Sequence, residues 1–131
     1  MGTRLLDTDV LIEISKNVPQ AVAWFAAVTR TDRPGLPGFT VMEFLHWARN
    51  KAELARFRKM QAPFVVYWPT AEDVARAVET CARTCLTHDL SVPDIMIAEC
   101  AIGLDATLCT FNVKHFRAIP GLVTERPYLR T

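Results

Sequence analysis

Short apolar runs alternate along this chain with longer segments in which apolar residues recur at helical spacing. The short runs are typical of buried strands, and the longer segments are typical of amphipathic helices. Strands separated by helices pair in parallel. The pattern therefore predicts an α/β domain with a central, mostly parallel sheet of four or five strands. With 131 residues the chain can bury one core, so we expect a single domain over residues 1–131.

The individual elements follow from the apolar runs and from the Pro and Gly residues between them. Strands are predicted at residues 3–7, 36–39, 64–68 and 106–110, with residues 121–125 as the fifth candidate. The third of these, FVVYW, is expected to be buried. Helices are predicted at residues 9–16, 19–29, 41–50, 51–60, 71–86 and 93–102.

Composition excludes several classes of protein. No apolar stretch approaches the roughly 20 residues of a membrane span, and the first residues do not match the pattern of a secretory signal or a transit peptide. We therefore expect a cytoplasmic protein that does not enter a membrane. The net charge is +1, so any attraction to nucleic acid must be local.

The four cysteines lack the paired spacings of a zinc ribbon, and we expect reduced thiols packed in the core. Cys81, Cys85 and His88 share one helical face, so a metal-binding trio is an alternative. Simple packing is the preferred interpretation.

Two acids, Asp7 and Asp9, follow the first apolar run directly. An aspartate at this position can cap the next helix, which is worth roughly 1 kcal/mol. A carboxylate at the carboxyl end of a parallel strand also lies where α/β sheets bind ligands, and clustered acids there can hold a hard cation. The two residues alone do not decide between these functions.

Two further acids lie at predicted helix starts, in the pairs Thr40–Glu43 and Ser91–Asp94. Both pairs match the capping box, in which Ser or Thr is followed three residues later by an acid. Thr70 and Asp73 have the same spacing without any suggestion of chemistry. Spacing alone therefore cannot separate helix caps from metal ligands.

Four blocks in order resemble the PIN domain, the nuclease module of bacterial VapC-type toxins. They are LLDTDVLIE, the helix that carries Glu43, LSVPDIMIAECA, and LCTFNVKHFRAIPGL with its Pro-Gly turn. Together they span essentially the whole chain. The resemblance implies a three-layer α/β/α fold and a Mg²⁺-dependent or Mn²⁺-dependent endoribonuclease, the toxin of a type II toxin–antitoxin pair.

The resemblance also implies roles for individual residues. Asp7, Glu43 and Asp94 are expected to converge around the metal, with Asp7 and Asp94 as its ligands, and Asn112 completes the catalytic set. Thr8, Asp9 and Thr110 are expected to support this site, with Asp9 capping the first helix or ordering water. Family members cut RNA to leave a 5′ phosphate and a 3′ hydroxyl. They form homodimers, and an antitoxin holds them inactive.

A basic run from Arg49 to Lys59 is either a solvated helix face or a path for a phosphate backbone. It contains Arg49, Lys51, Arg56, Arg58 and Lys59. Lys114 and His115, beside Asn112, are further candidates for contact with RNA or a partner. The sequence gives no histidine an acidic partner that would make it a general base. Four aromatic residues of the early helices are expected to fill mostly the core, with some surface left for the antitoxin: Trp24, Phe25, Phe44 and Trp47.

Two other functions are compatible with the same residues. LLDTDV resembles the Asp-x-Asp strand of haloacid-dehalogenase-like phosphatases, in which Asp7 would be the nucleophile. The chain lacks that family's glycine after the second Asp and its paired late acids. The other alternative is a degenerate PIN domain that only binds RNA or protein, because Asn112 stands where the family often has an acid.

Overall fold

The computed structural model describes residues 2–130, and this part of the chain forms five strands and seven helices. The strands are β1 (Thr3–Leu6), β2 (Arg33–Pro37), β3 (Val65–Tyr67), β4 (Thr107–Cys109) and β5 (Val123–Glu125). The helices are α1 (Thr8–Ser15), α2 (Pro19–Thr31), α3 (Gly38–His46), α4 (Lys51–Gln61), α5 (Ala71–Thr84), α6 (Val92–Gly103) and α7 (Val113–Phe116).

The five strands form one sheet in the order β3-β2-β1-β4-β5, and every neighbouring pair is parallel. The chain builds one half of the sheet outward from β1 through β2 and β3, and the other half through β4 and β5. Strand order therefore reverses between β1 and β4. The carboxyl ends of strands at such a switch point are where open α/β sheets bind ligands.

Successive residues of β1 show how the helices cover both faces of the sheet. Leu5 packs with residues of α6 and α7, whereas Leu6 packs with residues of α1, α3 and α4. Both leucines are fully buried, because side chains alternate across a strand and each face carries a helical layer. These layers make the α/β/α sandwich that the sequence predicts.

The predicted helix limits are correct within two residues, except for α3. The prediction for α3 was residues 41–50, but the helix starts at Gly38, directly after β2 ends at Pro37. The short helix α7 was not predicted. No helix in the described part of the chain is long and apolar enough to cross a membrane.

Two strand predictions are wrong in detail. Strand β2 begins at Arg33, three residues before the predicted start, because its prolines pair in a parallel ladder despite their poor strand propensity. Strand β3 is not the buried strand that FVVYW suggests: it lies at the edge of the sheet, and Val65 is 59% exposed. The β-branched residues of β3 correctly indicate a strand. How deeply a strand is buried depends on its position in the sheet, which these residues do not specify.

Candidate metal and active site

Asp7 lies at the switch point, immediately after β1. Its N–H donates to the Cys109 carbonyl at 2.9 Å, which continues the β1–β4 ladder by one residue. Its carboxylate caps α1 by accepting the Thr8 N–H at 2.9 Å, and it accepts the Thr110 hydroxyl at 2.8 Å. Burial, followed by repulsion from Asp9, raises the pKa of Asp7 from 3.8 to about 7. This acid is therefore held in a position where its charge is unfavourable without a cation.

The family resemblance offered Asp9 as the cap of α1, but Asp7 is the residue that caps this helix. Its Oδ2 accepts the Phe111 N–H at 3.1 Å and lies 3.5 Å from the Thr110 hydroxyl, so it links α1 to the loop after β4. Its Oδ1 is buried and has no hydrogen-bond partner in the described structure. Burial raises the pKa of Asp9, and the Phe111 N–H opposes this. An orphaned buried carboxylate oxygen is costly, and it indicates a place for an ion or water.

Glu43 is also not a helix cap. Because α3 starts at Gly38, Thr40 lies inside the first turn, and its hydroxyl donates to the Leu6 carbonyl at 3.0 Å. That bond ties α3 to the end of β1. One turn further along α3, Glu43 accepts the Thr8 hydroxyl at 2.8 Å. The Thr40–Glu43 pattern thus brings a carboxylate to the same edge of the sheet as Asp7.

Asp94 is both a cap and a member of the acidic edge. Ser91 and Asp94 form a complete capping box at the start of α6. The same carboxylate oxygen, Oδ2, lies 2.9 Å from His115 Nε2. This contact gives His115 the acidic partner that the sequence did not reveal. Among the described residues both contacts use Oδ2, so Oδ1 is the oxygen available to a ligand.

Thr110 connects the acids to Asn112. Its hydroxyl is fully buried, donates to Asp7 Oδ2 and accepts the Asn112 N–H at 3.0 Å. The side chain of Asn112 makes no cap hydrogen bond to α7 and is exposed. Asn112 is therefore held by its backbone, and its amide is available to a ligand.

One cavity of about 190 Å³ collects most of the predicted site residues. Its lining comprises Asp7, Thr8, Asp9, Ile12, Glu43, Trp47, Asp94 and Asn112. It contains four acids and, within residues 2–130, no lysine or arginine. The acids surround the cavity without direct chelation: no three His, Cys, Asp or Glu side chains of the described chain are grouped closely enough to hold one ion. Asp7, Glu43 and Asp94 line this one cavity, and their expected joint binding of a metal stays a prediction.

The basic run lies elsewhere. None of its side chains lines the acidic cavity, Arg49 pairs with Glu53 at 3.0 Å, and Arg56 donates to the Ser15 carbonyl. Ser15 ends α1, whereas Asp7 and Asp9 of the acidic cavity lie at its start. The predicted contact of this run with RNA stays a prediction. Lys114 is exposed one turn from the acidic edge.

The cysteines only partly match their prediction. All four are unpaired thiols; Cys100 and Cys109 are buried, but Cys85 is exposed, so it is not a core thiol. Within residues 2–130, Cys81, Cys85 and His88 are not grouped as a metal site. Helix α5 ends at Thr84, before Cys85 and His88.

Sequence reasoning missed two residues of the cavity wall, Ile12 and Trp47. Trp47 was assigned to the core or the antitoxin surface, yet it is 60% exposed. Its position follows from the end of α3 at His46, four residues before the predicted end. Spacing from Glu43 could have found it, since residues four apart share a helix face.

Fold and site together define an α/β/α domain with an acidic cavity at the switch point of its sheet. A model of the PIN domain matches residues 4–122, and the chain belongs to this family. It is 28% identical over 127 residues to ribonuclease VapC19 of Mycobacterium tuberculosis, covering 95% of this chain and 99% of that protein.

Solved structures agree on the fold. The structure of VapBC2 from Rickettsia felis, bound to a DNA fragment from its promoter, superposes with a TM-score of 0.82 at 18% identity and covers 94% of this chain and 97% of that one. A toxin–antitoxin complex from Klebsiella pneumoniae gives 0.74 at 25% identity and covers 95% and 98%. The similarity therefore extends over nearly the whole length of each chain.

Proposed function

We propose that this PIN domain is a divalent-metal-dependent endoribonuclease, the toxin of a type II toxin–antitoxin pair. The observation that carries the proposal is the cavity at the sheet edge, where four carboxylates and Asn112 meet without a basic residue among its described lining. The similarity to ribonuclease VapC19 supports the choice of RNA as the substrate.

The donor set fits Mg²⁺ or Mn²⁺. Both are hard cations that prefer oxygen ligands, and the raised pKa of Asp7 and the orphaned oxygen of Asp9 both reflect uncompensated acidic groups. Asp7 and Asp94 are the proposed ligands. The chemistry supplied by the ion in such a site is polarisation of the scissile phosphate and activation of water.

The remaining residues hold the acids in place and meet the substrate. Thr110 and the Thr8 N–H fix the Asp7 carboxylate, and the Thr8 hydroxyl fixes Glu43. The Asn112 side chain can donate a hydrogen bond to a phosphate oxygen, which an ionised carboxylate cannot do. We therefore assign substrate positioning to Asn112 and support of the acids to both threonines.

An antitoxin is the proposed protein partner. A second cavity, of about 390 Å³, has an apolar lining formed by Ile14, Phe25, Pro34, Met60, Pro63 and Phe64. An apolar helix of a partner protein would bury its residues there. Homodimer formation, which the family resemblance implies, and action in the cytoplasm, which the sequence composition suggests, both stay predictions. Sedimentation of the purified chain tests the first.

Asp94 and Asp73 offer a matched pair of variants, because each completes a capping box at a helix start. Asp94→Asn should abolish Mg²⁺-dependent RNA cleavage, since a neutral amide is a poor Mg²⁺ ligand. Asp73→Asn should keep cleavage and lose only stability. Full cleavage by a folded Asp94→Asn variant would exclude the proposed site.

The phosphatase alternative is tested in the same preparation. A generic phosphate ester is offered beside RNA, with and without EDTA. The proposal predicts RNA cleavage alone, and only without EDTA. Ester hydrolysis without RNA cleavage would favour the phosphatase, whereas RNA binding without any hydrolysis would favour a degenerate domain.

A further inference from the structure

A cleft distinct from the apolar cavity around Phe25 adjoins the acidic cavity. It encloses about 390 Å³ and is lined by Phe39, Met42, Glu43, His46, Trp47 and Pro93. Glu43 and Trp47 line both spaces, so one wall separates them. Whatever binds at the acids therefore has this cleft as its immediate neighbour.

The cleft exists because α3 has two different faces. Thr40, Val41 and Phe44 are buried against the sheet. Phe39, Met42, Glu43 and His46 recur at helical spacing on the other side, where Met42 is 48% exposed. Pro93, in the first turn of α6, forms the opposite wall. Exposed apolar groups of this kind, collected in a cleft, indicate a ligand.

The chemistry of the lining favours a nucleobase. Trp47 offers an exposed aromatic ring, whereas Phe39 is half-buried and its ring packs against Trp68. The Glu43 carboxylate and His46 imidazole offer polar atoms that can meet the edge of a base. The apolar cavity around Phe25 has no ionisable residue among its described lining, and it therefore suits a protein segment better.

We propose that this cleft binds an unpaired RNA base next to the scissile phosphate, with the Trp47 indole as the stacking surface. The inference rests on the proposed nuclease function and adds a base-binding cleft beside the acids, with Trp47 as the residue that recognises the base. A base held in a duplex cannot present its face to an aromatic ring, whereas an unpaired base can. Trp47 thus becomes a specificity-determining residue beside the catalytic acids.

The test compares intact RNA with abasic RNA. A single-stranded RNA of about ten nucleotides that the wild type cleaves once is remade with an abasic site at each position flanking the cut. Cleavage efficiency is measured with Mg²⁺ for the wild type, Trp47→Ala and Trp47→Phe. Leu86→Ala is the control, because Leu86 is also an exposed apolar side chain, at 95%, and lines neither cavity.

One abasic position should lower the cleavage efficiency of the wild type by about 5- to 100-fold. Trp47→Ala should cleave the intact and abasic RNAs with equal efficiency, and that efficiency should match the one the wild type shows on the abasic RNA. Trp47→Phe should recover the difference between the two RNAs, because it keeps an aromatic face, and Leu86→Ala should behave like the wild type.

Three results would overturn the proposal. If Mg²⁺-dependent cleavage persists and the abasic effect is the same in Trp47→Ala and the wild type, the base site is wrong and the nuclease function stands. If sedimentation shows that Trp47→Ala dissociates a dimer, the cleft is a contact between copies. If no RNA is cleaved by the wild type, both proposals fail together.

Discussion

Replacing Asp7 with Asn should stabilise the metal-free protein while it removes the proposed metal ligand. Asp7 is 5% exposed, and burial with repulsion from Asp9 raises its pKa from 3.8 to about 7. A raised pKa means that the folded state binds the proton more tightly than the unfolded chain does. The ionised carboxylate therefore lowers the free energy of unfolding. This loss is absent below about pH 4, grows as the pH rises, and is complete above about pH 7.

The magnitude follows from the same two values. A tenfold change in proton affinity is about 1.4 kcal/mol, so a pKa of about 7 in place of 3.8 corresponds to an upper bound of about 4 kcal/mol at pH 8. Asn is neutral and still accepts the Thr8 N–H. Its NH₂ can donate to Thr110, whose hydroxyl can turn to Asp9 Oδ2 at 3.5 Å. With about 2 kcal/mol lost from weaker hydrogen bonds, a net gain of about 2 kcal/mol is expected.

Urea unfolding at pH 8 in EDTA measures this gain, which should shrink toward zero at pH 5. Asp73→Asn is the control: this buried aspartate accepts the Thr70 N–H at 2.9 Å and pairs with Arg76 at 2.6 Å, so its loss should cost about 1–3 kcal/mol. Added Mn²⁺ should stabilise the wild type and not Asp7→Asn. A less stable Asp7→Asn at pH 8 in EDTA would refute the reasoning.

Three further predictions concern residues around the acids and the basic run. Asn112→Asp adds a fifth carboxylate to the four that line the cavity, so calorimetric titration with Mn²⁺ should show a second ion or tighter binding; no change would mean that residue 112 does not govern metal occupancy. Thr110→Val removes the hydroxyl that fixes Asp7, and Mn²⁺ affinity in the same titration should fall by about 10- to 100-fold; an unchanged affinity would assign the hydroxyl to stability alone. Arg56→Ala with Arg58→Ala should weaken RNA binding and make its salt dependence shallower; an unchanged slope indicates a solvated face, and loss of antitoxin binding instead indicates the partner surface.

The strands β1 and β4 were predictable because their apolar runs are short and followed by polar residues. LLD and LCT each mark the end of a strand, and the sheet then brings Asp7 and Thr110 side by side. Strand β2 was harder, since Pro34 and Pro37 argue locally against a strand. Its parallel neighbours on both sides override that preference.

The site was predictable as a set of acids and not as a set of contacts. The capping pattern is the same at Glu43, Asp73 and Asp94, yet it produces a cap alone at Asp73, both a cap and a cavity residue at Asp94, and no cap at Glu43. The difference depends on where each helix starts relative to the sheet. His115 meets Asp94 across 21 positions of sequence, through the unpredicted helix α7. Periodicity within one segment carries no signal for such a contact.

The central claim is that the acidic cavity holds a divalent cation with which the chain cuts RNA. The most direct measurement strips the purified protein with EDTA, adds back Mg²⁺ or Mn²⁺ stepwise and follows cleavage of single-stranded RNA together with the chemistry of the new ends. The account predicts no cleavage without the ion, recovery that saturates with added ion, and products with a 5′ phosphate and a 3′ hydroxyl. Equal cleavage in EDTA, or no cleavage at any ion concentration, would contradict it.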